Sequence, residues 1–404
     1  MAKFQFVVKD KNGKTHTGML DAESRNALLE QLWKQELTVI SIDEKSQSSQ
    51  TLNRMRQGSG KVKLSHLIIF SRQLATLVEA GVSIVPSLSI LADQTVDKQF
   101  KDILNKMHDD VEAGSSLSEA AARHPQAFGE LFVNLLQAGE QSGRLDEILD
   151  RLAVYQEKTG ELFRKVRSAL IYPAFVTLLA FGITIFLLVA IVPKFRDIFT
   201  SLGGKLPLPT LMLLGVSEFV QHFWILGIIG VIVIVVAGRM YLSTPVGRMQ
   251  ADQLSLNLPV FGPLIRKVGI ARFARTLATL IKSGVPILGA LDIVAKTAGN
   301  KVIEQAVMSA RSSIREGENI SDPLAESKVF PIMVTRMIAV GEKTGELEKM
   351  LSKVADFYES EVDATVAGLT SLIEPLVIAF LGIVIGGIAV TLLLPVFNIT
   401  SLIK

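Results

Sequence analysis

Residues 70–82 read FSRQLATLVEAGV, and residues 273–285 read FARTLATLIKSGV. The two stretches agree at 8 of 13 positions at an offset of 203. Working outward, Gly114 falls on Gly317 at the same offset; a one-residue slip to 202 then brings Phe128 onto Phe330. At 202, Gly139-Glu140-Gln141-Ser142-Gly143-Arg144-Leu145 lies on Gly341-Glu342-Lys343-Thr344-Gly345-Glu346-Leu347. Tyr155 then meets Phe357, Pro173 meets Pro375 and Pro193 meets Pro395. A registration held for about 130 residues is an internal duplication: one structural unit built twice.

The matched residues predict what that unit is. Leu74, Leu77 and Val78, and again Leu277, Leu280 and Ile281, recur at helical spacing and should face a bundle core. Gly81 and Gly284 end those helices, because the residue just past a helix end takes a left-handed backbone. Ser83 and Pro286 suit the start of the next helix. In the repeated G-E-x-[S/T]-G-x-L element, Gly139, Gly143, Gly341 and Gly345 set the backbone of a turn. Glu140 and Glu342 carry two readings. They bind a partner or a cation, or they belong to a turn with a helix cap in which Ser142 or Thr344 accepts from the backbone.

Each copy runs on into an apolar stretch long enough to cross a bilayer, which takes about 20 residues. The first is 171–193 and the third 373–397; neither carries a charge in its core. A second, 219–242, has Gln221 and His222 near one end and Arg239 near the other, groups that can snorkel to headgroups. It has no partner in the repeat and serves to bring the chain back, so that the second copy starts on the same side. The 404 residues are 49% hydrophobic and 20% charged, with mean hydropathy +0.39, in keeping with a chain partly in lipid. No apolar targeting segment stands at the N-terminus, which keeps it in the cytoplasm and sends the C-terminus out. Basic residues from Arg151 to Arg167, with Arg239 and Arg248, agree with that orientation.

Several chemistries are excluded. There is no cysteine, hence no disulfide, thiolate metal site or cysteine nucleophile. The five histidines are scattered, and no catalytic or metal-ligating set stands out. No G-x-x-x-x-G-K-[S/T] loop is present to hold nucleotide phosphates, so no cofactor is expected. The net charge of +3, without a basic run among aromatics, gives no reason to expect nucleic acid. A transporter or channel needs ionisable groups near the bilayer midplane, and the three spans lack them.

The fold class expected is therefore mainly α: two homologous cytoplasmic helical bundles, 64–170 and 243–372, with three transmembrane helices. Residues 194–218 form a periplasmic loop and 398–404 a periplasmic tail. Ahead of them, 1–44 reads as a small ββαβ domain, with strands at 3–10, 14–21 and 37–43, a helix at 24–36 and a hairpin turn at Lys11-Asn12-Gly13. The Ser/Gln/Gly-rich stretch 45–63 is a flexible linker. Tyr172-Pro173 and Glu374-Pro375 open the outer spans. Glu374 either contacts a partner or favours the dipole of a helix that starts there, with Pro375 in its first turn. Gly382, Gly386 and Gly387 offer a small-residue face for helix packing within the membrane assembly.

The two G-E-x-[S/T]-G-x-L elements, the Pro-opened spans and the loop Gly203-Gly204-Lys205-Leu206-Pro207-Leu208-Pro209-Thr210 together resemble the F-protein family of type II secretion and type IV pilus platforms (GspF and PilC). The resemblance covers essentially the whole chain. Phe357-Tyr358-Glu359-Ser360-Glu361-Val362-Asp363, with Leu369-Thr370 and Glu374-Pro375, is closer to the pilus type. The resemblance implies a non-enzymatic inner-membrane platform that couples a cytoplasmic hexameric extension or retraction ATPase to the movement of pilin subunits. The partners it implies are that ATPase, the transmembrane stem of pilin or prepilin, other inner-membrane assembly proteins, membrane lipid and further copies in a dimer or larger. Leu206, Pro207 and Thr210 would be its periplasmic loop motif.

Overall fold

The computed structural model describes the backbone at residues 2–9, 15–22, 38–45, 61–201 and 207–402, and side chains at 61–197 and 207–394. Strands β1 (Ala2–Lys9), β2 (Thr15–Ala22) and β3 (Thr38–Lys45) form an antiparallel sheet in the order β2-β1-β3. Phe4 pairs with both Leu20 and Glu44, and the β1–β3 register shifts between Val7 and Val8. The expected helix at 24–36, the turn at 11–13 and residues 46–60 of the linker lie outside the described residues.

The first bundle is built from α1 (Leu64–Glu79), α2 (Ile84–Gln94), α3 (Lys98–Glu112), α4 (Leu117–Ala122), α5 (Glu130–Ser142) and the start of α6 (Leu145–Phe186). Its core closes on four rings: Phe70 meets Phe100 edge-on at 5.5 Å, and Phe128 meets Phe132 at 4.7 Å. Such pairs add to the burial of their area.

Beyond α6 come a π-helical turn (Leu187–Ile191), α7 (Val192–Ser201), α8 (Leu208–Ser243) and α9 (Pro245–Asn257). The second bundle follows: α10 (Phe261–Lys282), α11 (Ile287–Thr297), α12 (Lys301–Arg315), α13 (Ser321–Glu326), α14 (Ile332–Thr344) and α15 (Leu347–Leu402). Element for element it repeats the first, and Phe273 packs on Phe330 at 4.9 Å where Phe70 packs on Phe128.

Three helical stretches are long and apolar enough to cross a membrane, within 145–197, 208–243 and 347–394. Their ends differ from the sequence expectation. No helix begins at 171 or 373: α6 and α15 run unbroken from bundle into apolar stretch through Pro173 and Pro375. A helix surrounded by lipid must satisfy its backbone internally, so losing one bond to proline costs less than ending the helix. The expected loop 194–218 is largely helical, with α7 reaching Ser201 and α8 beginning at Leu208. At 36 residues α8 is about 54 Å long, well beyond a ~30 Å hydrocarbon core. The expected tail is likewise helical as far as Leu402.

The spans join near one end. Leu188 and Val192, Leu214 of α8, and Ile388 and Leu392 of α15 form a small buried cluster. Nearer the bundles, Phe181 packs on Phe380 at 5.8 Å.

Candidate functional site

Gly81 and Gly284 stand at φ +85° and +80°, where a side chain would be strained. In both copies the helix end is tied in the same way. Val82 N–H donates to the Leu77 carbonyl at 2.9 Å, and Val285 N–H to that of Leu280 at 3.0 Å. Satisfying the last carbonyls in this way lets the chain reverse into the next helix.

The G-E-x-[S/T]-G-x-L elements divide their work. Gly143 and Gly345 take the left-handed turn, at φ +67° and +74°. Gly139 and Gly341 let α5 and α14 lie close against the following helix. A Cβ on Gly139 would stand 3.1 Å from Ile148 Cβ, and one on Gly341 only 2.8 Å from Leu347 Cα. Glu140 reaches back across the bundle. Its carboxylate accepts the N–H groups of Leu117 (2.5 Å) and Ser118 (3.2 Å) and the Ser118 hydroxyl, at the start of α4. Glu342 repeats this with Ile320 (2.5 Å) and Ser321 (3.2 Å) at the start of α13. Each glutamate supplies negative charge to unpaired donors at a helix N-terminus. The cap is thus a tie between helices and not a local turn. Ser142 does not accept from that turn: its hydroxyl donates to the Ala138 carbonyl at 2.8 Å. Thr344 donates to Val340 at 2.8 Å and takes a long contact from Glu346 N–H.

A second repeated tie was not anticipated from the sequence. Arg72 grips Glu157 with Nε and Nη2, both at 2.7 Å, and Asp150 with Nη1. Arg275 holds Glu359 through Nε at 2.9 Å and Asp356 through Nη2 at 2.6 Å. The hydrogen bond to Arg72 holds the Glu157 carboxyl below its usual range. Burial works against the charge on Arg275, yet its carboxylate partners hold it above the ordinary value. The signal was available, since Arg72 and Arg275 are identical positions in the quoted stretch and Glu157 lies on Glu359 at offset 202.

The bundles meet each other. Tyr155 Oη shares a buried hydrogen bond of 3.0 Å with Thr276, and Arg151 donates to the Lys282 carbonyl. Lys296 pairs with Glu130 at 2.7 Å and Lys165 with Asp363 at 2.7 Å, and both lysines are held above their usual pKa by these partners.

At the membrane, the outer spans part from expectation. Tyr172 is exposed and Pro173 buried; Glu374 and Pro375 are both exposed. Glu374 lies deep inside α15, so it cannot act on the dipole of a helix that begins there. A Cβ on Gly382, Gly386 or Gly387 would meet nothing within 4 Å, so this face packs on no described residue of the chain. Of the loop motif, Gly203 to Leu206 lie outside the described residues. Pro207 caps α8, and Thr210 is buried and donates to the Thr391 carbonyl at 2.9 Å. Gln221 does not snorkel. It donates to the Val189 carbonyl at 3.2 Å, while Ser217 donates to Leu188 at 2.5 Å. Both acceptors lie in the π-helical turn, whose carbonyls α8 therefore serves from outside.

The site is thus a pair of tied bundles above three spans. Among the described residues, the grouping of His108, Asp109 and Glu112 brings possible ligand atoms together, and its two carboxylates are exposed.

Residues 70–193 and 273–395 each match the family described as type II secretion system protein F, and residues 1–43 match the N-terminal domain of that protein. Over 403 residues the chain is 42% identical to the type IV pilus assembly protein PilC of Myxococcus xanthus, covering 100% of this chain and 96% of that protein. It is 45% identical over 403 residues to PilC of Thermus thermophilus, covering 99% and 98%. Over 404 residues it is 33% identical to the type II secretion system protein F of Vibrio cholerae, covering 100% and 99%.

Proposed function

The chain belongs to the type II secretion system protein F family, and from that membership we propose that it is the inner-membrane platform of a type IV pilus assembly machine. It couples a cytoplasmic hexameric ATPase to the insertion of pilin subunits into a filament, or to their extraction. The observation that carries this reading is the identity of 42% and 45% to pilus assembly proteins along the whole chain, against 33% to a secretion protein of equal length.

In this reading the ββαβ domain (1–44), the linker (45–63) and both bundles (64–170 and 243–372) are cytoplasmic. The segments 194–218 and 398–404 face the periplasm. The sequence carries no Walker-type phosphate loop, and in this reading the work on the filament comes from the partner ATPase. The unbroken helices α6 and α15 support the coupling, because a displacement of either bundle is carried along a rigid element into the span that follows it. Glu374, exposed on α15, and the open glycine face at 382–387 are available to the pilin stem or to another platform subunit. The platform works as a homo-oligomer among other assembly proteins of the inner membrane.

Crosslinking mass spectrometry on the tagged protein in its native membranes tests this. Expected are crosslinks from a bundle to a hexameric ATPase and from the spans to a prepilin. Links to a secretion ATPase and pseudopilin instead would assign the type II secretion branch. Nucleotide hydrolysis by the purified chain, or solute flux in proteoliposomes with neither partner found, would overturn the platform reading.

A further inference from the structure

Beyond the contact of the counterpart helices α6 and α15, the two bundles meet through unlike faces. The first bundle offers Glu130 of α5 with Arg151 and Tyr155 of α6; the second offers Thr276 and Lys282 of α10 with Lys296 of α11. The repeat gives each of these a counterpart. Ile332, Lys353 and Phe357 stand on the second bundle where Glu130, Arg151 and Tyr155 stand on the first. Gln73, Glu79 and Asp93 stand on the first where Thr276, Lys282 and Lys296 stand on the second. These counterparts are left uncovered. Tyr155 is 7% exposed and Thr276 0%, but Phe357 is 45% exposed, Ile332 71%, and Gln73, Glu79 and Lys353 are all exposed.

A two-fold relation between the bundles would cover both sets of faces equally, so the contact is heterologous, and a heterologous pair always leaves one face of each kind free. We propose that the free face of the second bundle docks on the free face of the first bundle of another copy of this chain, repeating between chains the contact made within one.

The two faces suit each other. That of the second bundle is basic, with exposed Arg336, Lys343 and Lys353 around Ile332, Val340 and Phe357. That of the first carries Glu79, with Asp93 paired to Lys101 at 3.3 Å, beside a cavity lined by Ile69, Leu91, Val96 and Phe100. By the repeat, Lys353 comes to Glu79 where Arg151 meets the Lys282 backbone, and Phe357 comes to Gln73 where Tyr155 meets Thr276. The membrane spans hold the bundles of every copy on one side, so successive copies are related by rotation about the membrane normal. A heterologous contact about such an axis makes a ring where its rotation divides the full turn. Platform function is not required for this assembly; the duplication and its uncovered faces carry it.

Because the chain has no cysteine, the contact can be tested with single thiols. Two differently tagged full-length chains, one Gln73→Cys and one Phe357→Cys, are co-expressed and treated in membranes with a short bis-maleimide. The expected product is a mixed dimer carrying both tags, with little product from either variant alone. Lys353→Glu should lower its yield several-fold, and adding Glu79→Lys in the partner should restore it, a rescue that misfolding could not produce. Product from one variant alone would show a two-fold contact between like faces and overturn the proposal. So would a thiol at position 73 that is shielded from maleimide yet gives no product between chains, since another surface then covers that face.

Discussion

At Gly341 a methyl group has no room: the backbone of Leu347 stands 2.8 Å from where it would sit, and backbone cannot swing away. Gly341→Ala should therefore push α14 off α15 and destabilise the second bundle by about 1–3 kcal/mol, the usual range for overpacking. Gly139→Ala faces mainly side-chain atoms at 3.1–3.2 Å and should cost less. Hydrogen exchange of the full chain in nanodiscs, read on peptides from 332–360 and 130–158, orders the two variants; equal protection would refute the ranking. Glu342→Gln should leave the Ile320 and Ser321 donors with a neutral acceptor. A charge-assisted bond is worth about 1.5–3 kcal/mol against about 1 for a neutral one, so faster exchange is expected at 318–326 and not at the other helix starts. Gly143 and Gly345 were legible from the sequence, because left-handed turns leave a compositional mark; Gly139 and Gly341, read as turn residues, lie inside helices and admit the next one. The glutamates were not legible, because their partners lie 21 to 23 residues upstream and no local spacing points to them.

Among the elements, the π-helical turn at Leu187–Ile191 ties the first span to α8 through Ser217 and Gln221. Ser217→Ala should loosen that junction by about 0.6 kcal/mol, up to roughly 2, as polar contacts between membrane helices generally do. Faster exchange at 187–192, with the bundles unchanged, is the expected readout. The three apolar stretches were legible in the sequence, since about 20 apolar residues are hard to miss, but the helix ends were not. Composition marks where lipid begins; it does not mark where a helix stops when prolines are tolerated and polar residues such as Thr210 and Gln221 find carbonyls on neighbouring helices. In the first bundle, the tie between α1 and α6 predicts an acid limb. Glu157 has its carboxyl lowered by Arg72, so its contribution is complete above the unfolded value, about 4.3, and is lost as pH falls through the lower folded one. Glu157→Gln should leave the first bundle less protected at pH 7 and flatten its loss of protection between pH 5 and 3. An unchanged acid limb would show that the exposed pair is screened out.

For the whole molecule, the decisive link is between bundles and membrane. Lys165 and Asp363 pair at 2.7 Å where α6 and α15 leave the bundles, just before the apolar stretches begin. The pair is exposed, so its own energy is small, about 0.2–1 kcal/mol, and Asp363→Asn alone should change stability little. Its position makes it a place to hold the two helices together. With no native cysteine, a chain carrying Lys165→Cys and Asp363→Cys can be bridged at that point by a cleavable bis-maleimide. If the ATPase drives the filament by moving one bundle against the other, the bridged platform should bind its partners normally yet extend no filaments in reconstituted membranes. Cleaving the bridge should restore assembly. Bridged platforms that extend filaments at the unbridged rate would mean that the two bundles turn as one body. The buried Tyr155–Thr276 contact would then be a permanent joint, and the motion that moves pilin would have to lie between chains and not within one.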